Sequence, residues 1–309
     1  KELPAREWTL LVQDTDKYVP ELARLLDRFR FIPNWRIDDL MVSYATDGGG
    51  VGPHVDAYDV FLLQAQGFRR WAISTEAHFD AGIPGLDLKQ VRDFVAQQEW
   101  LLGPGDMLYL PPGVVHEGTA VGDCLTFSIG FRVPSDAEML ADLAGLLIGK
   151  TEQSARFSDP ELRDSSDDPG LISHAVMQRL RKRLRALLAV DSDMLDEWFG
   201  RFITEPKPWL HVTPPRRKLT ATQMKQSLET RGLARDDATN LSWMQTSGVT
   251  LRLFADGRCH VLPSRLAALA ALLCRQHAFP NTLLRKYLRD AAALQVFTDL
   301  YNAGTVRLE

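Results

Sequence analysis

The sequence predicts a mixed α and β protein, with an all-β barrel or jelly roll first, an all-α segment next and a small winged-helix-like α+β domain last. Three observations carry that reading. Short apolar runs separated by turn signals roughly every ten residues fill the chain as far as Pro134, the pattern of a barrel or jelly roll. After Pro134 the apolar spacing changes to three and four residues, the period of amphipathic helices. Pro206, Pro208, Pro214 and Pro215 then mark a linker. The expected divisions are 1–134, 135–205 and 206–309.

Taken in order, Trp8 to Val12 is a short apolar run. Tyr18 to Phe31 reads as helix, because Leu22, Leu25, Leu26 and Phe29 recur at helical spacing, and Pro33-Asn34-Trp35 ends it. Leu40 to Ala45 reads as a strand entering a glycine loop, Gly48 to Gly50. Asp59 to Gln66 reads as a strand, and Gly67-Phe68-Arg69-Arg70 as a hairpin into another. His78 to Phe94 is irregular and reads as a surface insertion. Trp100 to Leu102, Met107 to Leu110 and Cys124 to Val133 complete the strands, the last alternating at Leu125, Phe127, Ile129 and Phe131. Beyond Pro134, helices are expected at Ala137 to Ile148, Leu171 to Val190 and Met194 to Ile203, around a polar, turn-rich Asp159 to Gly170. The last module reads as strands at Val249 to Phe254 and His260 to Leu262, with helices at Ser264 to Cys274 and Leu283 to Tyr301.

Composition bounds the functional classes. With 45% hydrophobic and 9% aromatic residues, the 309-residue chain can bury a real core. A net charge of -4 supplies no bulk field toward nucleic acid or membrane, and the last fifty or so residues carry no basic stripe, which argues against direct DNA binding. No apolar run reaches the roughly 18 residues of a transmembrane helix. Cys124, Cys259 and Cys274 form no C-x-x-C and read as reduced thiols, so a cytoplasmic protein is expected. The chain opens at Lys1 inside what reads as a domain, and an upstream segment is expected.

The chemistry concentrates in two stretches. The first is Gly48-Gly49-Gly50-Val51-Gly52-Pro53-His54-Val55-Asp56. On a strand, residues i and i+2 share a face roughly 6.6 Å apart, so His54 and Asp56 can lean toward one ion. The second runs from Gly105-Asp106 through Met107 to Leu110, closes at Pro111-Pro112-Gly113 and reaches His116. Its offsets resemble the second box of the cupin superfamily, with Ala120 in place of the final Asn. Two imidazoles and one carboxylate on one side of a metal leave its other positions open, the facial triad of non-haem Fe(II) oxygenases. His54, Asp56 and His116 are therefore the expected metal ligands and catalytic centre. The glycine triplet lacks the Lys-Ser/Thr of a phosphate loop and reads as a bend near the metal. Asp59 and Glu117 neighbour the ligands and are candidates to orient an imidazole. His78, His174, His211, His260 and His277 have no partner at ligand spacing and read as surface or core histidines. The cluster Arg179 to Arg185 reads as a solvated helix face, with acidic groups or ribosomal RNA as the alternative.

Pro33-Asn34-Trp35-Arg36-Ile37-Asp38-Asp39-Leu40-Met41, the two stretches above, Tyr58-Asp59-Val60-Phe61, His116-Glu117-Gly118 and Ser128-Ile129-Gly130-Phe131-Arg132 together resemble the bacterial JmjC-type ribosomal oxygenases, in their L-sixteen arginine 3-hydroxylase branch. The match is close from Trp8 to Pro134 and weaker, in the same domain order, beyond. The resemblance implies a double-stranded β-helix core, a helical dimerisation region giving a homodimer, and a winged-helix module. It also implies Fe(II), 2-oxoglutarate and O₂ as cofactor and co-substrates, and hydroxylation of an arginine β-carbon of ribosomal protein L-sixteen. By position, Arg69 matches the residue that grips the 2-oxoglutarate side-chain carboxylate, Ser43 a hydroxyl that assists it, and Thr126 a neighbouring site on the last strand. The residues alone leave Arg69 and Arg70 with equal claims to that role. They also leave open histidine hydroxylation, and a non-enzymatic metal-binding cupin with a partner-binding tail. Tyr58 is the candidate for the substrate pocket.

Overall fold

In the computed structural model, which describes residues 3–75, 90–91, 93–152, 154–157, 171–246 and 248–309, one seven-stranded sheet system dominates the first part of the chain. The expected insertion at His78 to Phe94 falls largely, and the polar stretch Asp159 to Gly170 wholly, outside the described residues.

The elements are β1 (Thr9–Val12), α1 (Pro20–Leu26), β2 (Ile37–Ala45), β3 (His54–Val55), β4 (Asp59–Ser74), β5 (Gln98–Leu102), β6 (Met107–Leu110) and β7 (Val115–Phe131). β7 is the spine. It pairs antiparallel with β2 on one side and with β4 on the other, and β3 joins it where His54 faces His116. β5 and β6 extend the far side of β4, and β1 extends β2. Two long strands shared between layers let the sheet curl on itself and enclose an interior, as in jelly rolls.

Two expected boundaries are corrected. Asp59–Ser74 is one strand, not two joined by a hairpin at Gly67. Its pairing with β7 slips on either side of Gln66, and Gly67 takes φ +66, so the glycine forms an irregularity that bends the strand. The last strand begins at Val115, far upstream of Cys124, which places His116 on the same strand as the alternating segment. α1 and the 3-10 turn Asp27–Phe29 cover the sheet. Leu26 and Phe29 pack on Leu40, Ile129 and Phe131, the last three wholly buried. Each such side chain contributes roughly 1.5–3 kcal/mol on burial.

The chain divides into two compact units, Lys1–Val133 with Thr204–Glu309, and Pro134–Ile203. The second unit holds α2 (Asp136–Lys150), α3 (His174–Leu187) and most of α4 (Ser192–Thr204). α2 opens on a capping box, Ser135 with Glu138. α3 is shorter than expected, beginning after the Ser173 cap. The Trp198 indole donates to Asp142 at 2.7 Å, fixing α4 to α2.

The C-terminal part of the first unit comprises α5 (Ala221–Leu228), β8 (Leu233–Arg235), β9 (Leu241–Gln245), β10 (Thr250–Ala255), β11 (Arg258–Pro263), α6 (Ala267–Arg275), β12 (Ala278–Phe279), α7 (Asn281–Leu284), α8 (Ala291–Ala303) and β13 (Val306–Leu308). The expected helix Leu283 to Tyr301 is broken. Asp290 accepts hydrogen bonds from the Ala292 and Ala293 amides and starts α8 afresh. Among the described residues no helix is long and apolar enough to cross a membrane.

Candidate metal centre and oxoglutarate pocket

His54, Asp56 and His116 come together. One potential ligand atom from each lies within 4.8 Å of the others, and the His116 Nε2 to Asp56 Oδ2 distance is 3.7 Å. The register of β3 with β7 sets two of them face to face, their ring centroids 4.2 Å apart. The short strand holding His54 is pressed onto β7 by the glycine bend. Gly48 takes φ +76, and a Cβ on Gly50 would meet the Gly118 carbonyl at 2.5 Å. A side chain there would push the His54 segment off the sheet.

Both rings are oriented from the backbone, not by Asp59 or Glu117. His54 Nδ1 lies 2.9 Å from the Gly52 carbonyl and His116 Nδ1 lies 3.0 Å from the Val114 carbonyl. A carbonyl can only accept, so each Nδ1 carries the proton and each Nε2 presents a lone pair. Asp59 is engaged elsewhere, by Arg36 at 2.9 Å and Tyr109 at 2.7 Å. Burial, reinforced by His54, lowers the His116 pKa, keeping the imidazole neutral and fit to ligate. Tyr58 hydrogen-bonds Asp56, and burial with that carboxylate nearby raises its phenol pKa, so the hydroxyl stays protonated.

The two arginines are now distinguished. Arg70 is exposed and reaches Glu99 at 3.5 Å. Arg69 is 5% exposed, points inward and donates to the Ser43 hydroxyl at 3.3 Å, with its guanidinium 5.6 Å from the Trp71 ring. Its Nε is buried without a hydrogen-bond partner. Among the described residues no carboxylate pairs with it. Burial lowers its pKa from the ordinary range, a mark of a cation lacking an anion. Arg69 pairs across the sheet with Ala120, four residues along β7 from His116 and so on the same face, about 13 Å along the strand. Thr126 sits opposite Ser43 and gives its hydrogen to Gln64 at 2.9 Å.

Asp39 is the residue that sequence reading missed. It is 8% exposed, and burial pushes its carboxyl up to about 6 despite Lys207 and the Asp14 amide. A Cβ built on Gly130 would lie 3.6 Å from Asp39 Oδ1 and 4.0 Å from the Tyr58 ring, so these two side chains share the small space that Gly130 leaves. The available signal was an acidic pair, Asp38-Asp39, opening an apolar strand. The raised acid holds a proton at higher pH when folded than when unfolded. Its stabilising contribution is therefore present below about 4 and lost as pH rises through about 6. Asp39→Asn is expected to raise stability at pH 7 by up to about 3 kcal/mol, measured by denaturant melts at pH 5 and pH 7. An equal effect at both pH values would contradict the assignment.

A JmjC domain family model matches residues 24–139, an AraC-like ligand binding domain model residues 90–195, and a ROXA-like winged helix model residues 183–307. The chain is 38% identical to "Ribosomal protein uL16 3-hydroxylase" of Escherichia coli, over 67% of this chain and 55% of that protein. It is 33% identical to "Probable ribosomal oxygenase" of Haemophilus influenzae, over 83% of this chain and 65% of that protein. The chain thus spans under two thirds of the length of these two curated relatives. The X-ray structure of E. coli ycfD superposes over all of this chain and 81% of its own, with a TM-score of 0.83 and 31% identity. A structure of YcfD in complex with cobalt and 2-oxoglutarate gives a TM-score of 0.79 at 30% identity, over 100% and 80% of the two chains. The order of JmjC domain, helical unit and winged helix, shared along the whole chain with that ribosomal oxygenase, shows that this protein belongs to the JmjC-domain ribosomal oxygenase family.

Proposed function

We propose that the chain acts as an Fe(II)- and 2-oxoglutarate-dependent protein hydroxylase on an arginine β-carbon of ribosomal protein uL16. One observation carries the co-substrate assignment: a buried guanidinium with no carboxylate partner among the described residues, on the same interior face as a two-histidine, one-carboxylate cluster. His54, Asp56 and His116 would hold the metal through two neutral Nε2 atoms and one carboxylate, a donor set suited to Fe(II) with open positions. Arg69, with Ser43 beside it, would take the far carboxylate of 2-oxoglutarate as a planar fork, and Thr126 borders the same strand position.

When bound, the metal, 2-oxoglutarate and O₂ supply oxidative decarboxylation to succinate and CO₂ coupled to oxygen insertion at a C–H bond. The chain's own contribution is position and polarity. Tyr58 keeps its proton and steadies Asp56. Asp39 supplies a carboxylate that a substrate guanidinium would hold ionised, which favours arginine over histidine as the target. The name of one relative, a ribosomal protein uL16 3-hydroxylase, supports uL16 as the substrate protein.

The test incubates the protein with Fe(II), 2-oxoglutarate and uL16 peptides. Gain of one oxygen at arginine, with peptide-stimulated succinate, is expected. Oxidation at histidine would select the alternative target. Metal-independent or absent 2-oxoglutarate binding would select a non-enzymatic cupin. We also propose a cytoplasmic protein divided at about residues 134 and 205, with the helical unit as its dimerisation region. Leu140, Ile148 and Leu184 are 67%, 72% and 46% exposed there, apolar surface that a second copy would cover. Light scattering is expected to give twice the mass of the chain at micromolar concentration, and a single-chain mass across that range would refute the dimer.

A further inference from the structure

We propose that Lys207, on the segment following α4, is a positioning residue that sets the charge and place of Asp39 and so controls affinity for a cationic substrate. This rests on the hydroxylase reading above. The contacts run in one line. Lys207 Nζ lies 2.8 Å from Asp14 Oδ1 and 3.1 Å from Asp38 Oδ1. The Trp209 indole donates to the other Asp14 oxygen at 2.8 Å. The Asp14 amide, in turn, donates to Asp39 Oδ2 at 2.7 Å. Asp14 holds this geometry at φ +57, a left-handed conformation that a non-glycine residue adopts only under constraint. It is 2% exposed.

Three carboxylates, from Asp14, Asp38 and Asp39, thus crowd a largely buried space, with Lys207 as the cation that answers them. Asp16 lies nearby but has its own partner, Lys17 at 2.9 Å. Burial alone would lower the Lys207 pKa, yet hydrogen bonds and charge from Asp14, Asp38 and Asp39 raise it, so the ammonium is retained. Removing that charge leaves the carboxylates uncompensated. Asp39, whose carboxyl burial already pushes up and which the Asp14 amide holds at 2.7 Å, then takes a proton more readily. A protonated Asp39 no longer attracts a guanidinium. The C-terminal part of the chain would then tune the substrate site from nearly 200 residues away, as the 193-residue separation of Lys207 and Asp14 records.

The experiment is steady-state kinetics of the full chain with a uL16 peptide bearing the target arginine. Lys207→Met is expected to raise peptide KM about tenfold, with kcat and the 2-oxoglutarate KM within about threefold of wild type, and Lys207→Arg to restore most of the loss. In an Asp39→Asn background, Lys207→Met is expected to add no further increase, because the two act through one group. An unchanged peptide KM would overturn the inference, as would a parallel loss of kcat and 2-oxoglutarate affinity that arginine fails to rescue. If Lys207→Met does not fold, Trp209→Phe, which removes one donor to Asp14, is expected to raise peptide KM about threefold, and no change there overturns it equally. A wild-type protein that neither binds 2-oxoglutarate with metal nor oxidises peptide would sink the hydroxylase reading and this inference with it. An active wild type with an indifferent Lys207→Met sinks this inference alone.

Discussion

His116→Ala is expected to lower peptide oxidation by at least about a thousandfold, about 4 kcal/mol of transition-state stabilisation, while the β-helix stays folded. The size follows from the donor count. Among the described residues, three side chains converge at this centre, and removing one leaves a weak two-point site with the wrong open positions. The intact fold follows from where His116 sits. Its backbone pairs with His54 on β3 and Ile73 on β4, and those ladder bonds do not involve the imidazole. The two imidazoles also crowd one another. They lie 4.2 Å apart in a buried site, and both His54 and burial oppose protonation of His116. The alanine variant loses ring contacts and the Nδ1 hydrogen bond to the Val114 carbonyl, but no bond of the strand ladder. Thermal melts separate the effects. The metal-free variant is expected to melt within a few degrees of wild type, and the rise in Tm that Fe(II) or Mn(II) gives the wild type is expected to vanish. Turnover above a tenth of wild type, or an undiminished metal shift, would remove His116 from the centre.

The convergence of His54, Asp56 and His116 was legible from the His-x-Asp spacing, although Asp56 lies just past the two-residue β3 and not on it, and from the proline-glycine turn that announces the strand carrying the second histidine. The helical unit was legible from its three- and four-residue apolar spacing, with errors confined to ends that caps such as Ser173 decide. What could not be read was anything set by long-range register. Gly67 looks like a hairpin turn in one dimension, and only its pairing with β7 makes it a kink within a single strand. Arg69 and Arg70 are indistinguishable as letters, because inward or outward direction depends on which side of that kink the count begins. Likewise the ring-orienting groups were sought among acidic neighbours, whereas backbone carbonyls two residues upstream fill that role for both histidines. Asp39 and Lys207 lie 168 positions apart in the chain, and no local pattern marks either as the other's partner.

Arg69→Met is expected to raise the KM for 2-oxoglutarate by at least about a hundredfold, close to 3 kcal/mol, while the metal-free and ligand-free protein becomes no less stable. The two effects share one cause. Arg69 is 5% exposed, its Nε is unpartnered, and among the described residues its guanidinium meets the Ser43 hydroxyl at 3.3 Å and the Cys124 side chain but no carboxylate. A buried cation without an anion is costly to the fold, and a thioether of similar length relieves that cost while keeping the contact with Trp71. The co-substrate carboxylate would reverse the balance, because it would complete a charge-assisted pair with a buried guanidinium. Arg69→Lys keeps the charge but loses the fork and the side-on bond to Ser43, so an intermediate loss of about ten- to thirtyfold is expected. Calorimetry with Mn(II) under nitrogen measures both affinities without turnover, and melts without ligand measure the stability term. If Arg69→Met binds 2-oxoglutarate as wild type does, the pocket is elsewhere. If it binds weakly but is also strongly destabilised, Arg69 is a structural ion whose partner lies outside the site. Only weak binding together with retained or improved stability fits a cation held in readiness for an anion that none of the described residues supplies.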